Sequence, residues 1–93
     1  MIRVCLIGLG KTGSEVAKVL LAQDSIKLVA AICSPGSVKA GRDLGEVIGL
    51  RDTGIIVQGA DRLEEMVFRT KPDVALDFSR PDATIRNSVV LSR

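Results

Sequence analysis

The chain has 93 residues, 46% of them hydrophobic and 26% charged, which is the size of one domain and too short for two. High aliphatic content and a near balance of charge, 13 Lys and Arg against 11 Asp and Glu for a net +2, argue against disorder. They also leave no single-sign field to draw nucleic acid or an anionic membrane. With no Trp or Tyr and only Phe68 and Phe78 as aromatics, base-stacking platforms are not expected either.

The first element in the chain is a β-branched run over residues 3–7 that ends at Gly8 and reads as a strand buried on both faces. Residues 13–22 follow with Val16, Ala17, Val19, Leu20 and Leu21 at helical spacing, and Glu15, Lys18 and Gln23 on other faces. After a turn at 23–25, residues 26–33 form a second apolar run broken only by Lys27, so the first third of the chain reads β-α-β. Residues 34–54 are rich in Gly and polar side chains, with one helical turn expected near 43–48 and a short third strand at 55–57. Asp61 and Glu64 fit a capping box, with Asp61 as N-cap of a helix carrying Leu63, Met66 and Val67 and ending at Thr70, Lys71 and Pro72. Residues 74–78 make a fourth strand, and Ser79, Pro81 and Asp82 start a third helix whose apolar positions are Ile85, Val89 and Val90.

Alternating strands and helices require parallel pairing through right-handed crossovers, which gives an α/β, Rossmann-like doubly wound parallel sheet in the order 3-2-1-4. Such folds normally continue past the fourth strand. The expectation is therefore a partial domain over residues 1–93, truncated after strand four and its helix, with an exposed sheet edge that invites a homodimer. No apolar run approaches the roughly 18 residues of a membrane span. Residues 4–9 are followed by a Gly-rich turn instead of a cleavage site, so a cytoplasmic protein is expected. Cys5 and Cys33 lie inside apolar runs and lack the spacing of a metal or redox pair, the pattern of buried reduced thiols.

The sharpest motif is Gly8-Leu9-Gly10-Lys11-Thr12-Gly13, a GxGxxG directly after a strand and opening a helix. In that place Gly8 allows the tight turn, Gly10 lets a pyrophosphate reach the backbone, and Gly13 lets the helix press on the strand. The helix N-terminus adds free amides and about half a positive charge. The competing reading is a turn with no ligand. The Asp or Glu that binds the adenosine ribose, expected about 20 residues after the glycines, is missing: the strand ends Cys33-Ser34-Pro35-Gly36-Ser37, with no carboxylate before Asp43. Ser34, Ser37 and Lys39 could donate to a 2′-phosphate, which favours NADPH over NADH or allows both; the alternative is a solvated loop whose lysine touches nothing. Lys11 either covers the pyrophosphate or faces solvent. Asp77 is either paired to backbone amides or exposed at the sheet end, and with no His in the chain it is not assigned as a base. Phe78, Ser79 and Arg80 follow strand four at the carboxyl edge, where ligands of doubly wound folds bind, and Ser79 is also suited to capping a helix.

The chain resembles the amino-terminal cofactor-binding domain of the dihydrodipicolinate reductase (4-hydroxy-tetrahydrodipicolinate reductase) family over nearly its whole length. The resemblance rests on Ile2-Arg3-Val4 with the glycine turn, Leu28-Val29-Ala30-Ala31, Gly41-Arg42-Asp43-Leu44-Gly45-Glu46 with Gly49, and the run from Asp73-Val74 through Asp77-Phe78-Ser79-Arg80-Pro81-Asp82-Ala83-Thr84. It implies a reductase passing hydride from NADPH or NADH to a cyclic imine-type dicarboxylate in lysine and diaminopimelate synthesis. Gly8, Leu9, Gly10, Lys11, Thr12 and Gly13 would be the pyrophosphate loop, Cys33 and Ser34 the adenosine-ribose position, and Phe78, Ser79 and Arg80 a loop along the cofactor. Lys11 and Thr12 stand where the family usually carries Arg and Met. Cys33 and Ser34 stand where some members have an acid and an arginine. The family's next strand, with its Gly-Thr-Thr-Gly-type turn, and its carboxyl-terminal His-His-Arg and Lys motifs do not occur in these residues, so the chain alone is expected to bind dinucleotide weakly at most and not to turn over substrate. Three other readings stay open: a related enzyme such as diaminopentanoate dehydrogenase, a non-catalytic nucleotide-sensing module, and a purely structural oligomerising domain in which the GxGxxG is only a turn.

Overall fold

Burial of two adjacent strands on both faces organises the computed structural model, which describes residues 1–79 and the backbone of 86–87. The central pair is β1 (Ile2–Ile7) and β2 (Ile26–Cys33), which run parallel. β4 (Val74–Asp77) pairs in parallel with the other edge of β1, and β3 (Gln58–Gly59) in parallel with β2. β5 (Arg86–Asn87) adds to β4 antiparallel, so the sheet order is β3-β2-β1-β4-β5. The expected parallel order 3-2-1-4 is therefore present, within a doubly wound arrangement.

Alternation of side chains along β1 divides the core in two. Val4 and Leu6 point to one face and pack with Ala17 and Leu20 of α1 (Lys11–Leu21), with Leu44 and Ile48 of α2 (Leu44–Ile48), and with Val57. Cys5 points to the other face with Ala30, Ile32 and Ala75, where Leu63 and Met66 of α3 (Leu63–Thr70) cover them. The strand register slips by one between Val4, opposite Leu28, and Cys5, opposite Ala30. This bulge at Val29 turns Ala31 to the same face as Leu28, three residues earlier, so each face of β2 stays apolar. Burial pushes the Cys5 thiol up to about 11, as expected for a charge that would form in apolar surroundings. Both cysteines are free and buried.

Several elements differ from the sequence reading. The expected third strand at 55–57 spends its backbone on the preceding loop instead of on β2. Leu44 N–H donates to Ile55 at 2.7 Å, Gly41 N–H to Val57 at 2.8 Å, and Val57 N–H to Arg42 at 2.8 Å. Only the next two residues reach the sheet. The capping box does not form: Ala60–Arg62 make a 3-10 turn and Arg62, not Asp61, is the N-cap of α3, with no side-chain cap bond. The Asp61 carboxylate instead lies over Gly59, 2.5 Å from where a Cβ would stand. Arg86 and Asn87, expected inside a third helix, instead form β5, antiparallel to β4 with Asn87 opposite Leu76 and Arg86 opposite Asp77. That pairing also shortens the edge expected to support a homodimer. The rest of that expected helix lies outside the described residues, among which no helix is long and apolar enough to cross a membrane.

Polar pins fix the ends of these elements. Arg3 donates through its guanidinium to the carbonyls of Thr70, at 3.2 Å from Nε, and Lys71, placing a cation at the negative end of α3. Its own N–H donates to Asp73 Oδ2 at 2.9 Å. At the other side, Asp43 caps α2 by accepting from Gly45 N–H at 2.7 Å and also holds the return loop through Thr53 N–H, Thr53 Oγ1 and Gly54 N–H at 2.8, 3.0 and 2.8 Å. The Thr53 backbone bond, followed by those from Gly45 and Gly54, holds its carboxyl below the ordinary 3.8 despite partial desolvation. A depressed folded value means that the stabilisation is complete above the unfolded value and is lost as pH falls through the folded one. Asp43→Asn is therefore expected to lower Tm at pH 7 and to melt like wild type once the pH drops well below 3.8. Thermal melts of both proteins across that range check this, and a gap that persists undiminished in acid would assign the loss to shape instead of charge.

Candidate functional site

The carboxyl ends of β1, β2 and β4 are drawn together by backbone bonds from Gly8 N–H to Ile32 and from Phe78 N–H to Ile7, both 2.7 Å. The chain must then turn sharply, and Gly8 does so at φ +97°, where a Cβ would stand 2.5 Å from the Phe78 carbonyl carbon. Gly13 presses on the same turn: a Cβ there would collide with the Gly8 carbonyl oxygen. Gly10 is different. It has φ −73°, open to any residue, and a Cβ on it would meet nothing within 4 Å.

Gly10 is the N-cap of α1 and contributes no side-chain cap. Ser14, whose N–H makes the first helical bond to Gly10 at 2.9 Å, donates its hydroxyl to the Leu9 carbonyl at 3.1 Å. Among the described residues the amides of Lys11, Thr12 and Gly13 have no capping acceptor, and no acidic residue stands in the first turn. They open into a cleft of about 520 Å³ at the carboxyl edge of the sheet. Among the described residues the lining carries two lysines, Lys11 and Lys39, and no carboxylate. Lys39 reaches across it to donate from Nζ to the Leu9 carbonyl at 2.7 Å. Lys11 is exposed and makes no bond among the described residues. Asp77, at the end of β4, accepts from Ser79 N–H at 2.8 Å, which decides the sequence alternatives for it in favour of backbone pairing.

Of the residues singled out in the sequence, Gly8, Leu9, Gly10, Lys11, Thr12, Gly13, Ser34, Phe78 and Ser79 meet around this one cleft, with Ser37 and Lys39 beside them. The Leu9 side chain is buried in the α1-face core, so what it offers the cleft is main chain. Arg80 lies outside the described residues. Pro35 and Ala60 complete the wall and had no sequence signal. Ala60 enters because β3 lies beside β2 and ends at the same edge, a placement that only strand order reveals. An anion with a flat or extended backbone-hugging part fits such a site: unblocked amides, a face of Gly10 clear of protein, and cations without competing acids.

Comparison with known proteins gives a match to the family model described as dihydrodipicolinate reductase, N-terminus, over residues 2–93. The 4-hydroxy-tetrahydrodipicolinate reductase of Methanocaldococcus jannaschii is 36% identical over 94 residues, covering 100% of this chain and 34% of that protein. The enzyme of the same name from Methanosphaera stadtmanae is 40% identical over 86 residues, covering 91% and 32%. The chain thus spans about a third of the length of the curated relatives it matches. Among solved structures, the amine dehydrogenase of Mycobacterium smegmatis superposes with a TM-score of 0.65 at 39% identity, over 80% of this chain and 21% of that one.

The three glycines separate by what each faces. Gly8→Ala and Gly13→Ala are each expected to destabilise by about 2 kcal/mol or more, from positive φ and overpacking respectively, whereas Gly10→Ala stays within about 0.5 kcal/mol of wild type. Urea unfolding of the three variants measures this. Equal losses at all three positions would contradict the separation.

Proposed function

Because the chain belongs to the dihydrodipicolinate reductase family, matching its amino-terminal part, we propose that this cleft binds a nicotinamide dinucleotide, NADPH in preference to NADH, and that the chain is the cofactor-holding part of a reductase. The observation that carries the reading is Gly10. Packing accounts for Gly8 and Gly13, but among the described residues nothing stands within 4 Å of where a Cβ on Gly10 would be, and Gly10 lies beside helix amides with no side-chain cap in a cleft lined by lysines. A close-lying diphosphate is the ligand that requires no side chain there. Gly8, Leu9, Gly10, Lys11, Thr12 and Gly13 hold the diphosphate through main-chain N–H groups and the Lys11 charge. Ser34 flanks the adenosine ribose, and Phe78, Ser79 and Arg80 run along the cofactor.

The preference for NADPH is supported by the end of β2. Cys33 and Ser34 bring no carboxylate to the ribose hydroxyls, and the next acid, Asp43, is committed to the amides of Gly45, Thr53 and Gly54. When bound, the nicotinamide supplies the hydride; the residues of this chain bind the dinucleotide, orient it and place positive charge along it. The acceptor is a cyclic imine-type dicarboxylate of the lysine and diaminopimelate route, and a reducing cytoplasm suits its two free thiols. A second reading, a dehydrogenase acting on amines with the same cofactor part, is favoured by the 39% identity to the Mycobacterium smegmatis amine dehydrogenase.

NADPH at a hundredfold excess over its Kd stabilises the folded state by about 2.7 kcal/mol, roughly a 10 °C rise in Tm or more at this chain length. Gly10→Val is expected to melt near wild type without coenzyme and to weaken NADPH and NADH alike by more than tenfold, as followed by coenzyme fluorescence. If millimolar NADPH and NADH both leave the wild-type melt unmoved, the glycines form a turn and no more, and the proposal fails.

A further inference from the structure

Among the described residues, Lys39 joins the loop after β2 to the glycine turn through a side-chain hydrogen bond, its Nζ donating to the Leu9 carbonyl at 2.7 Å across 30 positions of sequence. Its backbone is held in place. Lys39 N–H donates to Ser37 Oγ at 3.2 Å, Arg42 N–H donates to the Lys39 carbonyl at 3.3 Å, and Gly41 and Arg42 are tied to Val57. A fixed root with a flexible four-carbon stem ending in an ammonium lets the charge change partners while the loop stays still. The partner it has is a neutral carbonyl that already accepts from Ser14 Oγ at 3.1 Å, so release of the lysine leaves that carbonyl bonded. A dianionic phosphate is a far stronger acceptor than a shared carbonyl, and a ribose hydroxyl is not.

We propose that Lys39 is the coenzyme-selecting residue of this site: its ammonium, resting on the Leu9 carbonyl, transfers to a phosphate on the adenosine ribose and has no equivalent partner on a coenzyme that lacks one. This rests on the dinucleotide reading above and adds to it a division of labour. Lys11, on the first turn of α1, serves the diphosphate that both coenzymes share, whereas Lys39, beside Ser34 and Ser37 at the end of β2, serves the group that only NADPH has.

The test is direct titration of NADPH and NADH into the wild-type protein, Lys39→Met, Lys39→Arg and Lys11→Met, followed by coenzyme fluorescence. Loss of one charge-assisted bond corresponds to about tenfold or more in affinity. Lys39→Met should therefore raise the Kd for NADPH by that factor and leave NADH within about twofold, Lys39→Arg should keep most of the discrimination, and Lys11→Met should weaken both coenzymes alike. If Lys39→Met weakens both equally, the lysine only braces the glycine turn and the proposal is overturned; no change in either Kd overturns it as well. Should the variant fold poorly, adenosine 2′,5′-bisphosphate against 5′-AMP on the wild-type protein decides: equal affinity overturns the proposal. Wild-type protein that binds neither coenzyme refutes the dinucleotide reading itself, an outcome distinct from loss of selectivity.

Discussion

The contact on which the site depends is backbone against backbone where the β1–α1 turn meets the chain leaving β4. Gly8 sits so close to the Phe78 carbonyl, and Gly13 so close to Gly8, that neither tolerates a Cβ. This proximity aims the first turn of α1 at the carboxyl edge of the sheet instead of over its face. The bonds from Gly8 to Ile32 and from Phe78 to Ile7 bring β2 and β4 to the same level, so the cleft is a consequence of how three strand ends are levelled. Side chains play little part in shaping it.

That levelling needs a sheet that is thin and closely covered, which the composition provides. Small residues stand where helices cross the central strands: Ala17 on α1, Ala31 on the same face of β2, and Ala30 and Ala75 on the other face. Larger side chains at these places would lift the helices and open the turn. With few aromatics to bury, the chain relies on polar pins at element ends, Arg3 on the last carbonyls of α3 and Asp43 on the loop that returns from α2. These pins fix the ends of α3 and α2 and the chain that follows each.

What was legible in the sequence follows from the range of the forces involved. β1, β2 and α1 have apolar runs whose period is dictated by burial against immediate neighbours, and the glycine motif encodes its own turn. The apolar pattern of α1 starts two residues after the helix itself, which begins at Lys11, because Lys11 and Thr12 carry no apolar signal. Residues 55–57 have the composition of a strand, yet their hydrogen bonds go to 41–44, a long-range choice that composition does not record. Asp61 had the spacing of a cap, but the 3-10 turn over Ala60–Arg62 moved the helix start beyond it. Cys33 and Ser34 were placed at the cleft through the end of β2, whereas Ala60 was not, since its position depends on which strand lies beside which.

The electrostatics of the cleft show why a whole-chain charge is a poor guide to a local field. A net charge of +2 on 93 residues describes the chain as a whole and not the charge that faces one edge of the sheet. Among the described residues the cleft lining holds Lys11 and Lys39 and no carboxylate, while Asp43 accepts from loop amides, Asp77 from Ser79, and Asp61 lies over Gly59. Two lysines and the partial charge of a helix N-terminus with no side-chain cap therefore stand in the lining itself, and the carboxylates stand behind it. Asp43 and Asp77 also fix their own turns, so the bonds that shape those turns are the same bonds that direct the two carboxylates to backbone amides. A substitution that frees one of these acids would change the loop and the field together, and separating the two effects requires an isosteric amide at that position.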